Sequence, residues 1–186
     1  MGKNKIIAVT DGDATATRAV EEASNNLDLE VIYESAGNPT PSTGFELLIR
    51  IKESSSTPVI VMFDDQGEKG TGLGEKALAT VLSDSEIEVL GVLAVASNLK
   101  DVQGIKPDFS INQNQELTDK PVDKAGQEEA EGHSILEGDT IDILNSFSDR
   151  LIIGIGDLGK MEEKDLAERG APITTRAISE ILERSE

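Results

Sequence analysis

IIAVTDGD, residues 6–13, decides the fold. Ile6, Ile7 and Val9 are β-branched, Ala8 is small, and no charge interrupts them before Asp11-Gly12-Asp13. A short apolar run of this kind reads as a strand buried on both faces of a parallel sheet. Four further runs repeat it: VIYE into Ser35-Ala36-Gly37-Asn38, VIVMF into Asp64-Asp65, VLAVA into Ser97-Asn98, and LIIGI into Gly156-Asp157. The expectation is an α/β chain with a parallel sheet of about five strands in three layers. Strand ends then share one edge, where ligands of such sheets bind near the point at which strand order reverses.

The segments between the runs supply the helices. Asp13 to Ser24 carries Ala14, Ala16, Ala19, Val20 and Ala23 at helical spacing, with Asp13 as the cap. Pro39 and Pro41 stiffen the turn before a helix from about Thr43 to Glu53, whose inner face is expected to hold Phe45, Leu48 and Ile49. Further helices are expected over Ala77 to Leu82, Thr140 to Phe147 and Thr174 to Arg184. The stretch from about Lys106 to Gly138 is polar and has one alternating segment, Phe109-Ser110-Ile111, before a turn at Asn112 to Asn114. It reads as a β-hairpin or loop insertion on a single domain spanning residues 1–186.

Composition removes several classes of function. Seventeen Lys and Arg against 36 Asp and Glu give a net charge of -19, so bare nucleic acid and anionic lipid are repelled. With no cysteine there is no disulfide, thiolate nucleophile or zinc-thiolate site. The start MGKNKIIAVT has no signal-peptide core, and no apolar run approaches the roughly 20 residues of a membrane span. A soluble protein without a transmembrane segment is expected.

Chemistry is expected at the strand ends. Asp11, Asp13, Asp64, Asp65 and Asp157 fall there together, and converging carboxylates suit a hard cation, Mg or Ca, with Asp11, Asp64 and Asp65 as the candidate metal ligands. Aspartates at strand ends also cap helices, as Asp13 and Asp65 are placed to do. Gly12, Gly37, Asn38, Asn98 and Gly156 complete the candidate ligand-binding edge. The glycine-rich Gly67 to Lys76 lacks the Gly-Lys-Ser/Thr ending of a phosphate loop. GIGDLG at 154–159 matches G-x-G-x-x-G but no helix follows it closely, as a dinucleotide site requires. Its backbone amides are left as a place for a small anion. His133, the single histidine, lies in the polar stretch, and Lys160, Arg169 and Arg176 are expected to pair with carboxylates.

Six blocks carry a family resemblance: VTDGD at 9–13, SAGNPTP at 35–41, VMFDDQGEKGTGLGE at 61–75, EVLGVLAVASN at 88–98, GIGDLGKM at 154–161 and ERGAPIT at 168–174. Together they resemble the stage V sporulation protein AE family, the soluble AE protein of the spoVA operons of endospore formers. The resemblance implies a non-enzymatic accessory protein of the SpoVA machinery for calcium dipicolinate uptake or release. It would lie peripherally at the spore inner membrane with other SpoVA proteins as partners. More distantly, Asp11-Gly12, Gly37 and Asp64-Asp65 followed by Gly67 are similar to the Toprim domain, which holds Mg for phosphoryl transfer on nucleic acid. This chain has Asp11 where that pattern carries glutamate, and Asp-Asp in place of Asp-x-Asp. The sheet is accordingly expected to be Rossmann-like or Toprim-like.

Overall fold

A computed structural model describes residues 3–67, 71–98 and 103–185. IIAVT does form a strand: β1 (Asn4–Val9) is paired on both sides and its last four residues are fully buried. With β2 (Glu30–Val31), β3 (Val59–Met62), β4 (Ile87–Val95), β5 (Phe109–Ile111), β6 (Leu117–Thr118) and β7 (Ile152–Ile155) it builds one sheet in the order β2-β3-β1-β4-β7-β5-β6. Every pairing is parallel except β5 with β6. The sheet has seven strands where about five are expected, because the polar stretch folds its hairpin onto the edge of β7. The turn at Asn112 forms as the sequence indicates, its Oδ1 accepting from the amides of Asn114 and Glu116.

The period of two along each strand divides the core. Ile6, Ala8, Val61 and Phe63 face one layer, with α2 (Gly44–Glu53) and α3 (Leu73–Ser83). Ile7, Val9, Ile60 and Met62 face the other, with α1 (Ala14–Leu27) and α4 (Pro172–Ser185). Helices therefore cover both faces of a largely parallel sheet, the three-layer arrangement. Residues of the polar stretch join these same two clusters: Ile105, Val122 and Leu136 the first, Ile111 the second.

Local signals set the helix ends. Asp13 Oδ1 accepts from the amides of Thr15 and Ala16 at 2.8 Å, starting α1. Thr43 and Glu46 form a capping box on α2. The inner face of α2 differs from expectation: Leu47, Leu48 and Ile51 are buried, while Phe45 and Ile49 are exposed. The helix carries two apolar stripes, and the 47–51 stripe turns inward because it places Gly44 against Thr80 of α3, closer than a side chain would permit. Residues 142–147 form a short 3₁₀ helix instead of an α-helix. Asn145 gives its side-chain amide to the carbonyls of Gly104 and Asp142, competing with a regular helical ladder. Ile141 and Leu144 are nevertheless buried as expected, with Phe147 packed against them. No helix among the described residues is long and apolar enough to cross a membrane.

Candidate functional site

Strand order positions the crevice. The helix after β1 packs in the α1–α4 layer and the helix after β3 in the α2–α3 layer, so the loops leaving these neighbouring strands part to opposite faces. Such a switch point opens a crevice outside the carboxyl ends of the strands. Asp11 to Asp13 follow β1 and Asp64 follows β3. The Gly12 amide spans the gap to Asp64 Oδ2 at 3.1 Å. A Cβ on Gly12 would stand 2.4 Å from the Gly37 carbonyl, so only glycine admits this closeness.

Around the crevice, of about 200 Å³, stand Asp11, Asp13, Asn38, Asp64, Asp157 and Lys160. Carboxylate oxygens of Asp11, Asp13 and Asp157, one from each, lie within 4.8 Å of one another. That is the spread two oxygens can have around one calcium at about 2.4 Å each. Asp64 is 5% exposed and accepts from the amides of Gly12 and Gln66. Asp65 is turned away: its carboxylate accepts from the amides of Gly74 at 2.6 Å and Glu75 at 3.0 Å, capping α3. The carboxylates gathered are thus Asp11, Asp13 and Asp157, with Asp64 beside them, and Asp65 serves the helix. Gly156 lies beneath the chain at Lys124 to Gly126, and exposed Asn98 lines a second, outer groove of about 630 Å³ with Lys124 and Lys160.

The far wall is cationic. Lys160 Nζ lies 3.1 Å from both Asp13 Oδ2 and Asp157 Oδ1, and Lys124 Nζ is 3.5 Å from Asp157 Oδ2. Lys160 reaches Asp13 because Gly159, at φ +72, packs directly on Thr15 and Ala19 of α1. Its loop is held by Asp165, fully buried, whose oxygens accept from Gly159 N (2.9 Å), Ile173 N (2.8 Å), Thr174 N (2.9 Å) and Thr174 Oγ1 (2.6 Å). The amides of Gly159 and Asp157 are thereby engaged, by Asp165 and the Lys124 carbonyl. After GIGDLG the next α-helix begins only at Pro172.

These surroundings separate the carboxyl groups. Burial pushes Asp11 up to about 7, and the charges of Asp13, Asp64 and Asp157 add to the rise. Burial likewise raises Asp64, against the amides of Gln66 and Gly12 that favour its charge. At Asp13 burial acts upward too, but the Ala16 amide, Lys160 and the Thr15 amide outweigh it and hold the carboxyl below its usual range. Lys160, for its part, is held above the usual range by Asp13 and Asp157 in spite of burial.

Sequence reasoning missed Lys124, Asp139, Ser97 and Asp165. Lys124 comes from the stretch read as a surface insertion and Asp139 from just beyond its end, and both enter the crevice wall only through the fold. Arg169 pairs with Glu163 and Arg176 with Glu180, away from the crevice, and His133 is exposed. Of the glycine-rich segment, residues 68–70 lie outside the described residues.

An open sheet wound on both faces, with carboxylates and lysines at its switch point, defines a doubly wound α/β protein with a polar crevice at its carboxyl edge. The chain belongs to the Stage V sporulation protein AE1 family, whose model matches residues 5–185. Membership implies a sporulation protein of the spoVA operon. No curated protein and no solved structure matches the chain.

Proposed function

We propose that this protein is a non-enzymatic accessory of the SpoVA machinery that binds calcium dipicolinate at the crevice during its passage into or out of the spore. The observation that carries the reading is the pairing of opposite walls: three aspartates with oxygens within 4.8 Å, and two lysines on the far side of Asp157 and Asp13. A calcium chelate of a dicarboxylate presents a hard cation and carboxylate oxygens together. Calcium takes six to eight oxygen-rich ligands, so a chelate leaves positions for Asp11, Asp13 and Asp157. The ammonium of Lys160 now stands between Asp13 and Asp157. On binding it would give way to calcium and turn, with Lys124, to the ligand's carboxylates. Peripheral attachment at the spore inner membrane through other SpoVA proteins accords with the family and with the lack of a spanning helix among the described residues.

A Mg-dependent phosphoryl-transfer enzyme of Toprim type has weaker support. It calls on Asp11, Asp64 and Asp65 together, and the Asp65 carboxylate is committed to the amides of Gly74 and Glu75. The net charge of -19 also opposes a nucleic-acid substrate.

Isothermal titration of the purified chain with calcium, magnesium and calcium dipicolinate tests the reading. Saturable chelate binding is expected, weakened at least tenfold by Asp11→Asn and by Lys160→Met, with Lys160→Met retaining its response to calcium alone. Absence of chelate binding at millimolar concentration would remove the crevice from the function.

A further inference from the structure

Two of the large apolar side chains exposed among the described residues lie on one helix, α2. Tyr33, Phe45, Ile49 and Leu73 are 52%, 74%, 55% and 57% exposed, and only Leu117 joins them among the described residues. Tyr33 follows β2, Phe45 lies in the first turn of α2, and Leu73 opens α3. Helices returning from parallel strands begin on the edge where those strands end, which places Phe45 and Leu73 toward the crevice's end, while Tyr33 donates its hydroxyl to Glu21 of α1 in the other layer. Phe45 and Ile49 stand one turn apart on one helix face. Ile49 also lines a shallow groove of about 240 Å³ with Glu34, Ser42, Glu46 and Arg50. Single exposed apolar residues need no explanation, whereas two on one helix face, one of them lining a groove, mark a contact surface.

Charge selects the occupant. Arg50 is engaged by Glu34 at 3.1 Å and by Glu53 at 3.2 Å, which leaves this face with an acidic excess. A second copy would bring the same acidic face to the contact, and an anionic bilayer would be repelled by a chain of net charge -19. We propose that the Phe45–Ile49 face docks a cationic, apolar-tipped segment of a partner protein. Its apolar side chains cover Phe45 and Ile49, and its Lys or Arg side chains meet Glu34 and Glu46. This rests on the reading that the chain works by association, and it does not depend on what the crevice holds.

The test is fluorescence anisotropy with a labelled Leu/Lys amphipathic helical peptide, alongside the same peptide carrying Glu for Lys, on wild type and on the double variant Phe45→Ser/Ile49→Ser. Saturable binding of the Lys peptide alone is expected, at least tenfold weaker in the double variant and unchanged in Leu117→Ser. Unchanged thermal unfolding of the double variant confirms its fold, since both side chains are exposed. Equal binding by the variant would mean general attraction to an acidic surface and overturn the proposal, as would no saturable binding at all. Self-association of wild type by sedimentation, lost in the variant, would make the occupant a second copy. Variant-sensitive binding to phosphatidylglycerol vesicles would make it a lipid surface. Calorimetry of the double variant with calcium dipicolinate reads the crevice separately, so failure of one proposal is distinguishable from failure of the other.

Discussion

The two walls of the crevice hold the same kind of side chain in opposite states. On the β1–β3 wall, Asp11 and Asp64 accept only backbone amides, and burial raises both. Toward β7, Asp13 at the start of α1 and Asp157 after β7 share the ammonium of Lys160, and Asp13 is lowered. Asp11 and Asp13 are two residues apart in the chain, but Asp13 caps α1 through the amides of Thr15 and Ala16 and Asp11 does not. Burial raises Asp11, while against burial the Ala16 amide and then Lys160, a lysine from the far end of the chain, lower Asp13. One group of carboxylates lacks a cationic partner among the described residues and the other holds one, the contrast on which the proposed chelate binding rests.

The largest break of this contrast is expected at the support of the lysine wall. Asp165→Ala removes a buried carboxylate and leaves four donors without a partner, so it should cost about 3 kcal/mol or more in urea unfolding. It should also release Lys160 and bring Asp13 back toward ordinary carboxylate behaviour.

Neutralising the other wall has the opposite sign. Asp11 in the folded chain titrates at about 7 against an ordinary value of 3.8, so the folded state holds the proton more tightly. Its contribution is full below about pH 4 and is lost as pH rises through about 7. Asp11→Asn should flatten the fall in stability over that window and raise stability at pH 8 by on the order of 2 kcal/mol. Denaturation midpoints from pH 4 to 8 measure it; a wild-type slope unchanged by the substitution would show that Asp11 titrates normally.

Asp13→Ala removes both the α1 cap and the partner of Lys160, with an expected loss of about 1–2 kcal/mol by the same unfolding measurement. Asp13→Asn keeps the cap and drops the charge, so comparison of the two separates capping from the ion pair. The smallest stability effect belongs to Lys124→Met. Its pair with Asp157 is half exposed on the lysine side, so a change under about 1 kcal/mol is expected. Any loss of chelate affinity in that variant then reports binding, not folding.

Much of the frame was legible from short-range pattern. Four of the five apolar runs form strands, while VIYE keeps only Val31 in β2 and turns into a 3₁₀ helix at Tyr33–Ser35; Asp13 caps its helix, and the turn at Asn112 stands where the sequence indicates. Less legible was the choice between the two apolar stripes of α2, because periodicity shows that stripes exist and leaves open which of them α3 covers. The hairpin from the polar stretch was visible, but its joining to β7 was not, since β5 has only three residues and its partner lies far along the chain. At the crevice, the carboxylates were readable as strand-end residues. That Asp65 would serve α3, and that Lys124 and Lys160 would face Asp157, depended on loops folding back over the sheet.

The sequence by itself determined the class of fold and the edge on which polar residues gather, because side-chain period and strand-end composition are local and each acts within a few residues. Tertiary structure decided which carboxylates converge, which are spent on helix ends and which carry a counter-ion. Those outcomes depend on burial and on charges brought together from distant parts of the chain, and electrostatic energy follows distance in space, not distance in sequence.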